Sequence, residues 1–101
     1  SDNSYLEYYE NGLATRIKLN KSVVSVGNTR GRCDYKINDN TISKRHADFV
    51  SRNGKFYVVD CDSTNGTYIN GDAKRIQSNV EYQLFDGDRI TLADFDLTIK
   101  C

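Results

Sequence analysis

This chain contains no proline and no methionine, and neither charge sign is in excess: fourteen Lys and Arg balance fourteen Asp and Glu. Zero net charge removes the whole-chain attraction on which a nonspecific nucleic-acid binder relies. No apolar run approaches the roughly 18 residues that span a bilayer, and the first residues form no signal-peptide pattern. Cys33, Cys61 and Cys101 are an odd set without Cys-x-x-Cys spacing. That speaks against a disulfide framework and leads us to expect a reducing, cytoplasmic setting. No cofactor is called for. The lack of methionine leads us to expect a piece of a larger protein. Two matches to the glycosylation acceptor pattern, at Asn20 and Asn65, carry no meaning in such a setting.

What is present is short alternation. The 101 residues suit one domain, large enough to fold without metal or disulfide but with little margin. No segment sustains a 3.6-residue period, so no substantial helix is expected. Strands are expected at 5–9, 15–19, 23–26, 35–37, 46–51, 56–60, 68–69, 83–84, 89–92 and 95–100. Asn11-Gly12, Asn53-Gly54 and Asn70-Gly71 are turn signals between them, as are 38–40 and 86–88. About ten or eleven short strands at this spacing predict an all-β fold, a sandwich or barrel. Residues 5–100 form the expected domain; 1–4 read as a loose end or cloning remnant.

Charge is uneven along the chain. Residues 28–55 hold seven Lys and Arg against three Asp. That surplus surrounds Thr41-Ile42-Ser43-Lys44-Arg45-His46-Ala47, and a second polar cluster, Ser63-Thr64-Asn65-Gly66-Thr67, follows about twenty residues later. Both clusters offer hydrogen-bond donors on loops, which suits holding an anion; a phosphorylated side chain is the commonest protein-borne anion of that kind.

These clusters fall in a longer pattern: Val26-Gly27, residues 33–37 (Cys-Asp-Tyr-Lys-Ile), residues 43–47, residues 60–71 and residues 84–90 (Leu-Phe-Asp-Gly-Asp-Arg-Ile). In this order and spacing the chain resembles a forkhead-associated (FHA) domain from about Tyr5 to Lys100. No one motif decides this; the five together are specific. The resemblance implies a twisted two-sheet β-sandwich and a non-catalytic function, recognition of phosphothreonine in a partner peptide by loops at one end. It implies that the Ser43 hydroxyl and backbone N–H contact the phosphate, that Lys44 adds a cation, and that Asn65 hydrogen-bonds the peptide backbone on the C-terminal side of the phosphothreonine. Thr64 would pack near the threonine methyl. His46, Gly27, Gly66 and Thr67 would support the binding loops. Arg45 is read as solvated, on the assumption that Lys44 and His46 share one face of a strand. Specificity beyond the phosphothreonine would come from loops such as 70–74 and 86–89.

The chain departs from the family at Gly27-Asn28, where an arginine that binds phosphate is usual. Asparagine replaces neither its charge nor its fork of donors. The loop at 28–32 reads about one residue longer than usual and holds Arg30 and Arg32. Either could supply the missing guanidinium, so Asn28, Arg30 and Arg32 are grouped with the phosphopeptide-binding residues. The alternative is a degenerate pocket and a phosphate-independent protein-interaction module. The implied partner is a threonine-phosphorylated protein, or another part of the same polypeptide, with a Ser/Thr kinase upstream and a monomeric domain; neither nucleic acid nor membrane is expected.

Other chemistries fit less well. No strained nucleophile turn accompanies Ser43 and His46 as a serine hydrolase requires. Cys33, Cys61 and the lone histidine do not have zinc-ligand spacing. A nucleic-acid-binding barrel would expose aromatics beside a basic groove, whereas the aromatics here mostly alternate as core residues.

Overall fold

In the computed structural model, which describes residues 3–101, ten strands form two five-stranded sheets. They are β1 (Tyr5–Glu10), β2 (Leu13–Lys18), β3 (Val23–Asn28), β4 (Tyr35–Ile37), β5 (Ala47–Arg52), β6 (Lys55–Asp60), β7 (Thr67–Ile69), β8 (Tyr82–Leu84), β9 (Arg89–Leu92) and β10 (Phe95–Lys100). One sheet runs β2-β1-β10-β9-β7, the other β4-β3-β5-β6-β8. All ladders are antiparallel except β3 with β4, which is parallel. No helix is present among the described residues.

Alternation places the core. Leu6, Ile17, Ile90, Leu97 and Ile99 from one sheet face Val24, Val26, Phe49, Val58 and Leu84 from the other in one cluster. The turns are set by local chemistry. Asn11-Gly12, Asn53-Gly54 and Asn70-Gly71 all have positive φ at both residues, the requirement of a tight hairpin turn whose twist matches its strands.

Strand bounds match the sequence reading to within one or two residues. Residues 1 and 2, half of the expected loose end, lie outside the described residues. Ser4, its last member, is buried, and its carbonyl accepts the Leu19 N–H at 3.0 Å. The strand expected from His46 begins at Ala47, because His46 is turned inward by the loop before it.

The sheet ends define the geometry of the site. β3 ends at Asn28, β5 begins at Ala47 and β6 ends at Asp60, and the register pairs Val26 with Ala47 and Ala47 with Asp60. The loops that follow β3, precede β5 and follow β6 therefore emerge side by side.

Candidate phosphopeptide-binding site

Close backbone approach builds this end of the molecule. The carbonyl of Lys44 lies over Gly27 and Gly31. A methyl group on either would come within 1.9 or 2.1 Å of that oxygen. Only hydrogen fits, so two glycines seat the 43–45 segment against the 28–31 turn. The Cys33 thiol donates to the same carbonyl at 3.2 Å.

Asn28 makes the turn itself. Its Oδ1 accepts the Arg30 N–H at 2.8 Å, an Asx-turn, and its carbonyl accepts the Gly31 N–H. Its Nδ2 donates to the Ile42 carbonyl at 2.8 Å. Asn28 is 3 % exposed. Grouped with the peptide-contacting residues from the sequence, it is here a brace: both ends of its amide are engaged inside the protein. What it does for the site is aim residue 30.

Beyond the loop, Asp34 is held by the Ser25 N–H and hydroxyl and by Lys21 at 2.6 Å. The Lys21 hydrogen bond, then the Ser25 N–H, pull its pKa down to about 2.

His46 links the two polar clusters. It is fully buried. Its Nδ1 accepts the Ser43 N–H at 3.1 Å, so the proton resides on Nε2, which donates to the Gly66 carbonyl at 2.9 Å. Burial pushes its pKa below the usual value, while the Gly66 carbonyl pulls the other way. The neutral ring is thus the form this architecture needs. It also takes the Ser43 N–H, which the resemblance had assigned to phosphate. The Ser43 hydroxyl stays available: its oxygen accepts the Thr64 N–H at 3.0 Å, leaving its own proton to donate outward.

Asp60 was missed from the sequence. It is fully buried at the end of β6 and accepts the Ser63 N–H and the hydroxyls of Ser63, Thr67 and Ser78. Burial alone would raise its pKa; those hydrogen bonds outweigh it and hold the carboxylate charged. Thr67, expected as a loop support, acts through this carboxylate. Arg75, also missed, donates to the Ser63 carbonyl at 2.7 Å and lies 3.6 Å from Asp60. A signal for Asp60 did exist, since it shares strand parity with Phe56 and Val58, both core residues. No local pattern announces Arg75. Gly66 has φ +90°, a conformation that favours glycine, and its N–H donates to the Ser63 hydroxyl. Asn65 is exposed; its Nδ2 donates to the Thr41 carbonyl at 2.9 Å.

These residues surround an open depression of about 460 Å³, lined among others by Asn28, Arg30, Ser43, Lys44, Arg45, Thr64 and Asn65. Arg32 is not part of its wall. The Arg30 and Lys44 side chains are exposed and have no hydrogen-bond or ion-pair partner among the described residues. Arg45 does have one, a two-pronged contact with Asp48 at 3.0 and 2.8 Å. The expected alternation of Lys44 and His46 against Arg45 fails, because this segment is a bend: Lys44 and Arg45 are exposed and His46 is buried.

Of the loops 70–74 and 86–89, expected to give further specificity, the second lies away from the depression, whereas the first starts away from it and leads back to Arg75 beside Gly66. Register pairs Thr67 with Leu92 and Ile69 with Ile90, so Asn70 and Arg89 lie at the end of the β7–β9 pair away from Gly66. Also beside Gly66 is the β9–β10 connection, whose Ala93 N–H donates to the Gly66 carbonyl.

The FHA domain model matches residues 24–93. The chain belongs to the FHA domain family. It is 36 % identical over 83 residues to the glycogen accumulation regulator GarA of Mycobacterium tuberculosis, covering 82 % of this chain and 48 % of that protein. It is 41 % identical over 64 residues to the oxoglutarate dehydrogenase inhibitor of Corynebacterium efficiens, covering 63 % and 42 %. The chain thus spans about half the length or less of these curated relatives. Among solved structures it is similar to the FHA domain of FhaA in complex with an intracellular domain, with TM-score 0.81, 26 % identity, and coverage of 97 % of this chain and 100 % of that one. It is also similar to the MEK1 FHA domain in complex with a HOP1 phosphothreonine peptide, with TM-score 0.74, 29 % identity, and coverage of 99 % and 97 %.

Proposed function

We propose that this FHA domain is a non-catalytic reader of phosphothreonine, in a partner protein or elsewhere in its own polypeptide. The observation that carries the reading is the Ser43 hydroxyl, fixed by the Thr64 N–H and opening beside two cations without internal partners, Arg30 and Lys44. A phosphate of about −1.5 to −2 charges accepts from all three. Hydrogen bonds to charged groups contribute about 1.5–3 kcal/mol each. Arg30, aimed by Asn28, supplies the guanidinium that the family places one residue after Gly27. The Thr64 side chain meets the threonine methyl, whose burial is worth about 0.8 kcal/mol, or roughly fourfold over phosphoserine. Asn65 keeps its amide oxygen for the peptide backbone.

The names of the relatives support a regulatory contact of this type. A Ser/Thr kinase then acts upstream, and the module works as a monomer. Its three free thiols suit a reducing cytoplasmic compartment. Affinity near micromolar, about −8 kcal/mol, suits reversible signalling.

The test is calorimetric titration with a degenerate phosphothreonine peptide pool and its phosphoserine and unphosphorylated counterparts. Micromolar binding to the phosphothreonine pool is expected, with weaker binding to phosphoserine and none to the unphosphorylated pool. Equal binding to all three, or to none, overturns the reading in favour of a phosphate-independent interaction surface.

A further inference from the structure

The groove does not stop at Asn65. A second open hollow of about 350 Å³ is lined by Thr41, Asn65, Tyr68, Ala93 and Asp94. Thr41 and Asn65 line both hollows, so the two adjoin across the Thr41–Asn65 hydrogen bond. Their charge is polarised. The first hollow carries two unpaired cations, Arg30 and Lys44, and the Asp48-paired Arg45 against one carboxylate, Asp62, whereas Asp94 is the only charged residue lining the second. Asp94 is exposed, and its carboxylate has no hydrogen-bond or ion-pair partner among the described residues.

The backbone holds this carboxylate in place. Ala93 and Asp94 form the two-residue connection between β9 and β10. Ala93 has φ +59°, a conformation that costs a non-glycine residue about 1 kcal/mol or more. It is kept there by its N–H bond at 2.9 Å to the Gly66 carbonyl, the same oxygen that receives the His46 Nε2 proton. The Asp94 position is thereby tied to Asn65-Gly66 rather than left to a free loop tip. The wall between the hollows is equally fixed: Asp39 holds the Thr41 N–H and hydroxyl, and the Thr41 carbonyl holds Asn65.

We propose that Asp94 makes this domain selective for phosphothreonine peptides carrying a lysine or arginine a few residues from the phosphothreonine, on the flank that crosses Asn65. This rests on the phosphothreonine reading of the first hollow. A peptide with phosphate at one point and a cation further along matches the order of charge across the two adjoining hollows. Tyr68, in the second hollow, offers contact surface for the aliphatic stem of such a side chain.

The test is a lysine scan. One phosphothreonine peptide with neutral flanks is compared with versions carrying a single Lys at each of the four positions on either side, about 13 Å of extended chain. Each is titrated into the parent and into Asp94→Asn and Asp94→Lys, and the readout is the ratio of each Lys peptide to the neutral one within the same protein. In the parent, Lys at one or two adjacent positions on one side strengthens binding about two- to fivefold, the range of an exposed ion pair. The ratio at those positions falls to about one in Asp94→Asn and below one in Asp94→Lys, and in the parent it shrinks with added salt. A parent that binds the neutral phosphopeptide but shows no preferred Lys position overturns the role of Asp94 and leaves the phosphate reading standing. So does a preference that survives Asp94→Asn. Failure to bind any phosphopeptide overturns both.

Discussion

Two kinds of loop occupy the ends of this sandwich, and their glycines separate them. In the Asn11-Gly12 and Asn53-Gly54 hairpins, a methyl group on the glycine would touch nothing within 4 Å. Those glycines serve their own turn's dihedral angles. Gly27 and Gly31 are pressed against the Lys44 backbone from another loop, and Gly27 has no special φ. The first kind of loop is solved within two residues. The second is solved by partners far apart in sequence: Asn28 with Ile42, Thr64 with Ser43, Asn65 with Thr41, His46 with Gly66. Turn-forming loops close the chain, whereas cross-braced loops hold hydroxyls and cations where a ligand finds them already placed.

This contrast breaks most sharply at the glycines. Gly27→Ala should cost about 3 kcal/mol or more in chemical unfolding, because neither the Lys44 backbone nor the β3 strand can yield 1 Å or more. Gly54→Ala should cost only about 1 kcal/mol, the left-handed backbone penalty. Equal effects would erase the distinction. Next comes His46→Ala, which leaves a cavity and strands the Ser43 N–H, while the Gly66 carbonyl keeps only its Ala93 N–H bond; a loss of about 2–4 kcal/mol is expected.

Arg30 and Arg32 sharpen the comparison within one loop. Arg30→Ala should weaken phosphopeptide binding about tenfold, the loss of one charge-assisted contact. Arg32→Ala should stay within about twofold, and neither should move stability by more than about 0.5 kcal/mol. Parallel titrations of the two variants read this directly, and the reverse order would move the guanidinium's role to Arg32.

The smallest effect is in pH. The His46 pKa is depressed in the folded state, so its contribution is present above the unfolded value near 6.5 and is lost as pH falls from there through the folded pKa. Urea midpoints of the peptide-free domain should therefore fall in that window, and His46→Gln, which has no titrating ring, should flatten the step. Working without peptide keeps the phosphate's own titration out of the measurement.

The sequence carried the fold further than the site, for the reason the two kinds of loop illustrate. Hairpin positions follow from dipeptides such as Asn53-Gly54, and core faces from alternation such as Phe56, Val58 and Asp60. Strand period sees only neighbours, however. It assigned Lys44 and His46 to one face, whereas the Lys44 carbonyl is seated on Gly27 and Gly31 and the chain bends there. Asn28 looked like a lost ligand because its amide partners, fourteen residues away and at Arg30, are invisible before folding. Asp60 was legible in part, as a carboxylate on core parity that needs donors. The Ala93-Asp94 connection lacks the glycine that marks tight turns, so its place beside Asn65 emerged only from the β7–β9–β10 register.

The most direct test of the account follows backbone amide resonances while a phosphothreonine peptide is titrated into the domain. The amides of Arg30, Ser43, Lys44, Thr64 and Asn65 are expected to shift together with one saturating curve, while those of Asn53 and Gly54, at the opposite end of the same sheet, stay still. Shifts centred on 51–54, or none around Ser43, would contradict the account.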